Sequence, residues 1–262
     1  MMKRTLLASL MSVASVAAVA STYQHETSLD FSWGDVLTSD LQSWDLSQRF
    51  YLKPVEWNTI APIAEAAFIG RNSSVYGLYN RGTLKTDGVK DSFAAWGLGG
   101  EYMDDSHDFY AGLHYYSLNG SSTKSALSQF GYFFDADWLM TVDVEHIRPD
   151  GLGSKTQLGF SSKKLMRLPT GDHMNIEASY MDLKDTSRNR FSFGGDYYFG
   201  KTLSVGLLYD WTSKNGFSTD SDAFTIRSQW FPMTQLALRA QVTFDQLETG
   251  EDLFTVGASY RF

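Results

Sequence analysis

Apolar and polar residues alternate with a period of two along most of the chain. The pattern is cleanest in the last ten residues, where Phe254, Val256, Ala258, Tyr260 and Phe262 fall on one face and Leu253, Thr255, Gly257, Ser259 and Arg261 on the other. Such a period puts successive side chains on opposite sides of a strand. Similar segments recur from His25 onward, and fourteen can be marked. The first two run through Leu29, Phe31 and Trp33, then Trp44, Leu46, Phe50 and Leu52. The next six cover Ser73–Asn80, Phe93–Tyr102, Asp108–Leu118, Ala126–Phe134, Trp138–Ile147 and Lys155–Lys163. The last six cover Met174–Leu183, Arg190–Phe199, Leu203–Thr212, Ala223–Trp230, Leu236–Asp245 and Leu253–Phe262. Pro54, Pro62, Pro149, Pro169 and Pro232 lie between the segments, as do Asp87-Gly88, Asn119-Gly120, Asp150-Gly151 and Asn215-Gly216. Proline has no N–H for a central strand, and Asn-Gly or Asp-Gly pairs suit tight hairpins.

Short and long connections alternate: 134–138, 199–203 and 230–236 are tight, whereas 148–154, 184–189, 214–221 and 246–251 are longer and polar. Together with a last strand ending on an aromatic residue, this resembles an outer-membrane β-barrel. The expected fold is therefore all-β: a transmembrane antiparallel up-and-down barrel of 14 strands, within a range of 12–16, even numbers being the rule. Short turns on the periplasmic side would make both the N- and C-termini periplasmic. Tyr132-Phe133-Phe134, Tyr198-Phe199, Trp230-Phe231 and Tyr260-Arg261-Phe262 each end a strand running in the same direction. A soluble sandwich could use the same alternation, but aromatics recurring at one end of alternate strands suit a membrane girdle.

Composition narrows the class. The 262 residues include no Cys, which removes disulfides and thiol chemistry, and no apolar run outside the N-terminus is long enough for a spanning helix. A mean hydropathy of -0.26 fits strands that meet lipid on only one face. At the N-terminus, Lys3 and Arg4 precede an apolar stretch, Leu6–Val19, and an Ala18-Val19-Ala20 site. Residues 1–20 are expected to be an export signal and 21–262 the barrel domain. Cleavage would take the formal charge from -8 to about -10, an acidic balance that argues against nucleic acid as a partner.

One stretch carries a family resemblance. Tyr51-Leu52-Lys53-Pro54-Val55, followed by Pro62-Ile63-Ala64-Glu65-Ala66-Ala67-Phe68-Ile69-Gly70-Arg71-Asn72-Ser73-Ser74-Val75, resembles the second-to-third strand connection of the small putative general porins of bacterial outer membranes. Ile63 stands where Leu is expected and Asn72 where a small residue is commoner. The resemblance implies a pore-forming barrel passing small hydrophilic solutes, and no particular solute.

If Phe262 faces lipid, the opposite face of each strand lines the lumen and should carry the charges, which are costly on the lipid face. Lumen candidates are Asp45, Arg49, Glu101, Asp143, Glu145, Glu177, Asp196, Asp210, Arg227, Arg239, Asp245 and Arg261. Arg49, Arg227, Arg239 and Arg261 would form a basic wall, and Asp143, Glu145, Glu177, Asp196 and Asp210 an acidic wall across from it. Opposed walls would set up a transverse field; ion pairs filling a small interior are the alternative. Gly34–Gln42 and Arg81–Asp91 are the longest loop candidates on one side, and Glu56–Ser73 lies on the other, so any constriction is expected from wall side chains. No Ser motif accompanies His25, His107, His114, His146 or His173, so no catalytic residue is expected. No metal or other cofactor is expected either. The expected partners are outer-membrane lipid, small hydrophilic solutes, the barrel-assembly machinery through the C-terminal strand and, in a homo-oligomer, further copies of the chain. The alternatives are a closed structural or adhesive barrel and an outer-membrane hydrolase.

Overall fold

The computed structural model describes residues 21–36, 39–57, 60–104, 106–119, 121–151, 153–183, 188–213, 221–245 and 251–262. The expected export segment 1–20 and parts of connections 184–189, 214–221 and 246–251 lie outside them. Thr22–Val36 is β1, Ser39–Glu56 β2, Ser74–Thr86 β3, Val89–Met103 β4, Phe109–Asn119 β5, Lys124–Asp135 β6 and Trp138–Arg148 β7. Lys155–Arg167 is β8, His173–Leu183 β9, Arg188–Phe199 β10, Leu203–Thr212 β11, Ser221–Met233 β12, Leu236–Asp245 β13 and Glu251–Arg261 β14. Each strand pairs antiparallel with its chain neighbours, and β1 pairs with β14 to close a barrel.

Closure turns the alternation of the sequence into an outside and an inside. Leu29, Phe31 and Trp33 on β1 and Phe254, Val256 and Phe262 at the chain end are exposed, while Ser28, Ser259 and Arg261 are buried. This polarity is the reverse of a water-soluble barrel and suits an apolar solvent. Exposed aromatics ring the rim that carries the termini, among them Phe50, Tyr102, Tyr132, Phe134, Phe199 and Trp230. Trp33, Trp96 and Tyr209 stand near the far rim.

Three sequence expectations change here. Arg81–Asp91 is a paired hairpin, not a loop: Thr86 pairs with Val89 across Asp87-Gly88, whose φ values are 51° and 84°. Positive φ at both turn residues matches the strand twist, so pairing continues to the tip. Gly34–Gln42 is likewise mostly strand, with Val36 paired to Ser39. Pro54 and Pro232 lie inside β2 and β12, not between strands. Register slips beside both, between Tyr23 and His25 on β1 and between Trp230 and Met233 on β12. An irregular ladder end tolerates a residue without an N–H.

The β2–β3 connection, 57–73, departs from the hairpin pattern. It folds inward as a 3-10 turn, Ile63–Glu65, and a single helical turn, α1 (Ala66–Ile69). Four residues cannot sustain a helix alone, so tertiary packing holds it. Ile63, Ala66 and Trp57 pack with Tyr23, Tyr51, Val55, Phe231 and Ala237. Ala64, Phe68 and Ile69 pack against Ala61, Leu165 and Tyr198, and Phe68 also meets the cluster of Tyr110, Phe133 and Leu139. The buried apolar clusters of the described residues thus gather around this segment, inside the terminal rim.

Candidate functional site in the barrel lumen

Glu65 is the one acid in an apolar run, and the inward fold carries it across the lumen. It is 4 % exposed. Tyr198 Oη donates to its carboxylate at 2.5 Å and Asn175 Nδ2 at 3.2 Å, and Lys163 Nζ lies 2.8 Å away. These partners stand on β10, β9 and β8, opposite the strands that the segment connects. Burial alone would raise the Glu65 pKa, but the Lys163 ammonium and the donated hydrogen bonds outweigh it and hold the carboxyl below its ordinary value. Further ties fix the segment. Ile63 N donates to Lys201 O at 3.0 Å, Arg261 Nη1 donates to Ile63 O at 3.1 Å, and Asn72 Nδ2 reaches Pro54 O at 3.1 Å. Arg71, at φ 47°, pairs with Asp108 and lies over the Phe133 ring.

Beside this segment is a cavity of about 570 Å³, lined by Asp30, Asp45, Glu65, Glu177 and Asp196 against Lys163, Arg227 and Arg239. Five carboxylates face three cations, a formal surplus of two negative charges. A second cavity of about 400 Å³ lies on the β2–β7 side, between Arg49, Glu101, Phe68 and Tyr110.

The arginines of the proposed basic wall are engaged in ion pairs, and three of the proposed wall residues pair with each other. Arg227 Nη2 lies 2.8 Å from Asp196 and also pairs with Glu177. Arg239 pairs with Asp30 at 2.9 Å, Arg49 with Glu101 at 3.1 Å and Arg261 with Glu26 at 3.1 Å. Glycine makes two of these pairs reachable. In register, Gly206 sits between Arg227 and Asp196, and Gly257 between Arg239 and Asp30. A Cβ at either glycine would run into the carboxylate, so the missing side chain lets the arginine cross the intervening strand.

Asp143 accepts from Thr141 Oγ1 at 2.7 Å and Gln129 Nε2 at 2.9 Å, the end of a chain that continues through His114 to Tyr76. Glu145 accepts from Ser125 at 2.6 Å, apart from the other wall residues, and Asp210 stands opposite Ser192 and Ala223. Arg261 is buried at the terminal rim against Tyr23 and Phe231. Sequence reasoning missed Asp30, Glu65, Lys163, Asn175 and Tyr198. The available signal was Glu65 itself, a single charge in the run Pro62–Gly70.

A closed antiparallel barrel, apolar outside and charged within, defines a bacterial outer-membrane β-barrel. The chain belongs to the family described as "putative general bacterial porin", whose model matches residues 1–151 and 156–262. It is an outer-membrane porin. Among solved structures it is similar to Omp33 of Acinetobacter baumannii, at 20% identity and a TM-score of 0.72 over 93% of this chain and 100% of that one. OprB of Pseudomonas putida matches at 6% identity and a TM-score of 0.49 over 92% of each chain. A KdgM porin matches at 8% identity and a TM-score of 0.45 over 90% of this chain and 99% of that one. A search of curated proteins finds no match.

Proposed function

We propose that the chain is a passive, cation-preferring diffusion channel for small hydrophilic solutes, narrowed by the inward segment 57–73. The surplus of carboxylates around the 570 Å³ cavity carries this reading, because unpaired lumen charge sets which ions enter. Asp45, hydrogen-bonded by Asn80 at 2.6 Å but ion-paired to no cation among the described residues, is a main source of the surplus. The Arg227–Glu177–Asp196 cluster supplies the rest, with Arg49, Arg239, Glu145 and Asp210 as further lining residues and Asp143 and Arg261 buried behind them. No catalytic step is invoked: both ring nitrogens of His114 have partners, Tyr76 and Gln129.

The exported chain begins after residue 20, which fits a first strand starting at Thr22. Its terminal rim faces the periplasm, and its last strand is the segment offered to the barrel-assembly machinery. Reversal potential across a planar bilayer under a salt gradient tests the selectivity. Cations should dominate, and Asp45→Asn should reduce the preference; anion preference in the unaltered protein would refute it. The inward segment also favours a second reading, a structural barrel closed by that segment, for which the unaltered protein would pass no stepwise current and release of the segment would open it.

A further inference from the structure

The outward face of the far rim is divided by charge. Register places Arg81 and Lys85 on β3, Lys90 on β4, Lys124 on β6 and Arg148 on β7 on the outer surface. At the same rim, outward positions on β9, β12, β14, β1 and β2 carry acids instead: Asp182, Asp222, Asp252, Asp35 and Asp40. Among the described residues, the outward cations of this rim therefore occupy one sector, β3–β7.

Two like-charged pairs stand directly opposite each other there, Lys85 with Lys90 and Lys124 with Arg148. Such cross-strand pairs are destabilising without a counter-ion. Lys85 has Asp40 at 4.0 Å; Arg81, Lys90, Lys124 and Arg148 have no carboxylate partner among the described residues. Their height is also informative. Arg81 is level with Trp44, and Lys124 with Ser117, which pairs with Trp96. Lys124 is ten residues from Phe134 on β6, and Arg148 ten from Trp138 on β7. At roughly 3.3 Å per residue and a tilt of about 40°, that is about 25 Å, the height of the apolar band. Below the cations the surface stays apolar, with Leu98, Leu113, Phe130 and Val142 exposed.

We propose that this sector binds the phosphate groups of an outer-leaflet glycolipid, with the acyl chains lying on the apolar surface below. The proposal rests on the orientation given above, far rim outward. Arg148 offers a planar fork and Lys124 a point charge to one phosphate, and Arg81 with Lys90 can meet a second.

The test is titration of the purified full-length barrel in micelles with phosphorylated lipid A, followed by native mass spectrometry. Saturable binding is expected, weakened about tenfold or more in a Lys124→Gln/Arg148→Gln double variant by loss of charge-assisted contacts, and unchanged in Asp222→Asn. Single-channel conductance of the double variant should stay at the unaltered value, showing that it folds. Undiminished binding by that variant, or equal binding of dephosphorylated lipid A, would overturn the site. An oligomer that the double variant dissolves would overturn it in favour of a second copy. Val89→Cys, the sole thiol of its variant, should react with an impermeant maleimide on intact cells. Failure to react would overturn the proposal through its orientation, distinguishably from a failure of the cation site.

Discussion

Single residues decide how charge is stored in this lumen, and glycine matters as much as the charged groups. Gly257 leaves the gap through which Arg239 meets Asp30. Gly257→Val should destabilise the barrel by about 1–3 kcal/mol through overpacking, seen as a lower unfolding temperature on heat-modifiability gels; an unchanged temperature would contradict the crossing role. Tyr198→Phe removes a hydrogen bond to a buried carboxylate and should cost about 1.5–3 kcal/mol in the same assay. The Glu65 anchor has a defined pH dependence. Its folded pKa is depressed, so its contribution is complete at neutral pH and is lost only as pH falls below the ordinary value of about 4.3 and through the depressed one. Hydrogen-exchange protection factors at residues 60–72 should accordingly hold until the pH is well into the acid range; protection lost already near neutrality would contradict the sign of the shift. At this scale the sequence told which residues are polar-facing but not which ones meet. The pairing of Arg227 with Asp196 depends on an intervening Gly206, visible only once the strand register is known.

Among elements, the strands were legible and the inserted segment was not. Strands announce themselves locally, because alternation and Asp-Gly turns act within a few residues. The hairpin at Asp87-Gly88 reads as loop in sequence because its arms are polar, yet they pair as strand to the tip. Segment 57–73 was readable in length, yet its inward fold depends on partners 98, 110 and 133 positions away at Lys163, Asn175 and Tyr198. Local periodicity carries no information about such partners. Phe68 bridges two of the apolar clusters around the segment and lies under the Lys163 ammonium at 4.9 Å. Phe68→Ser should loosen the segment by about 2 kcal/mol, read as faster hydrogen exchange at residues 60–72 while strand amides stay protected. Equal loosening of the strands would mean that the segment and the barrel unfold as one unit.

For the whole molecule, one inversion organises everything: the apolar face looks out and the charged face looks in, so lipid solvates the barrel while ion pairs and one folded-in connection fill it. The outside follows from a period of two read along the chain. The inside follows from long-range closure, which brings β1 beside β14 and allows a connection from one wall to be tied to the other. A porin arranged in this way should be limited by its own β2–β3 connection. Single-channel conductance tests that most directly, comparing the unaltered protein with a variant in which residues 62–70 are replaced by a short Gly-Ser linker. The linker variant should show a conductance several-fold larger, because the segment occupies the lumen at the terminal rim. An identical conductance would contradict the constriction, and silence in both proteins would mark the barrel as closed by something other than this segment.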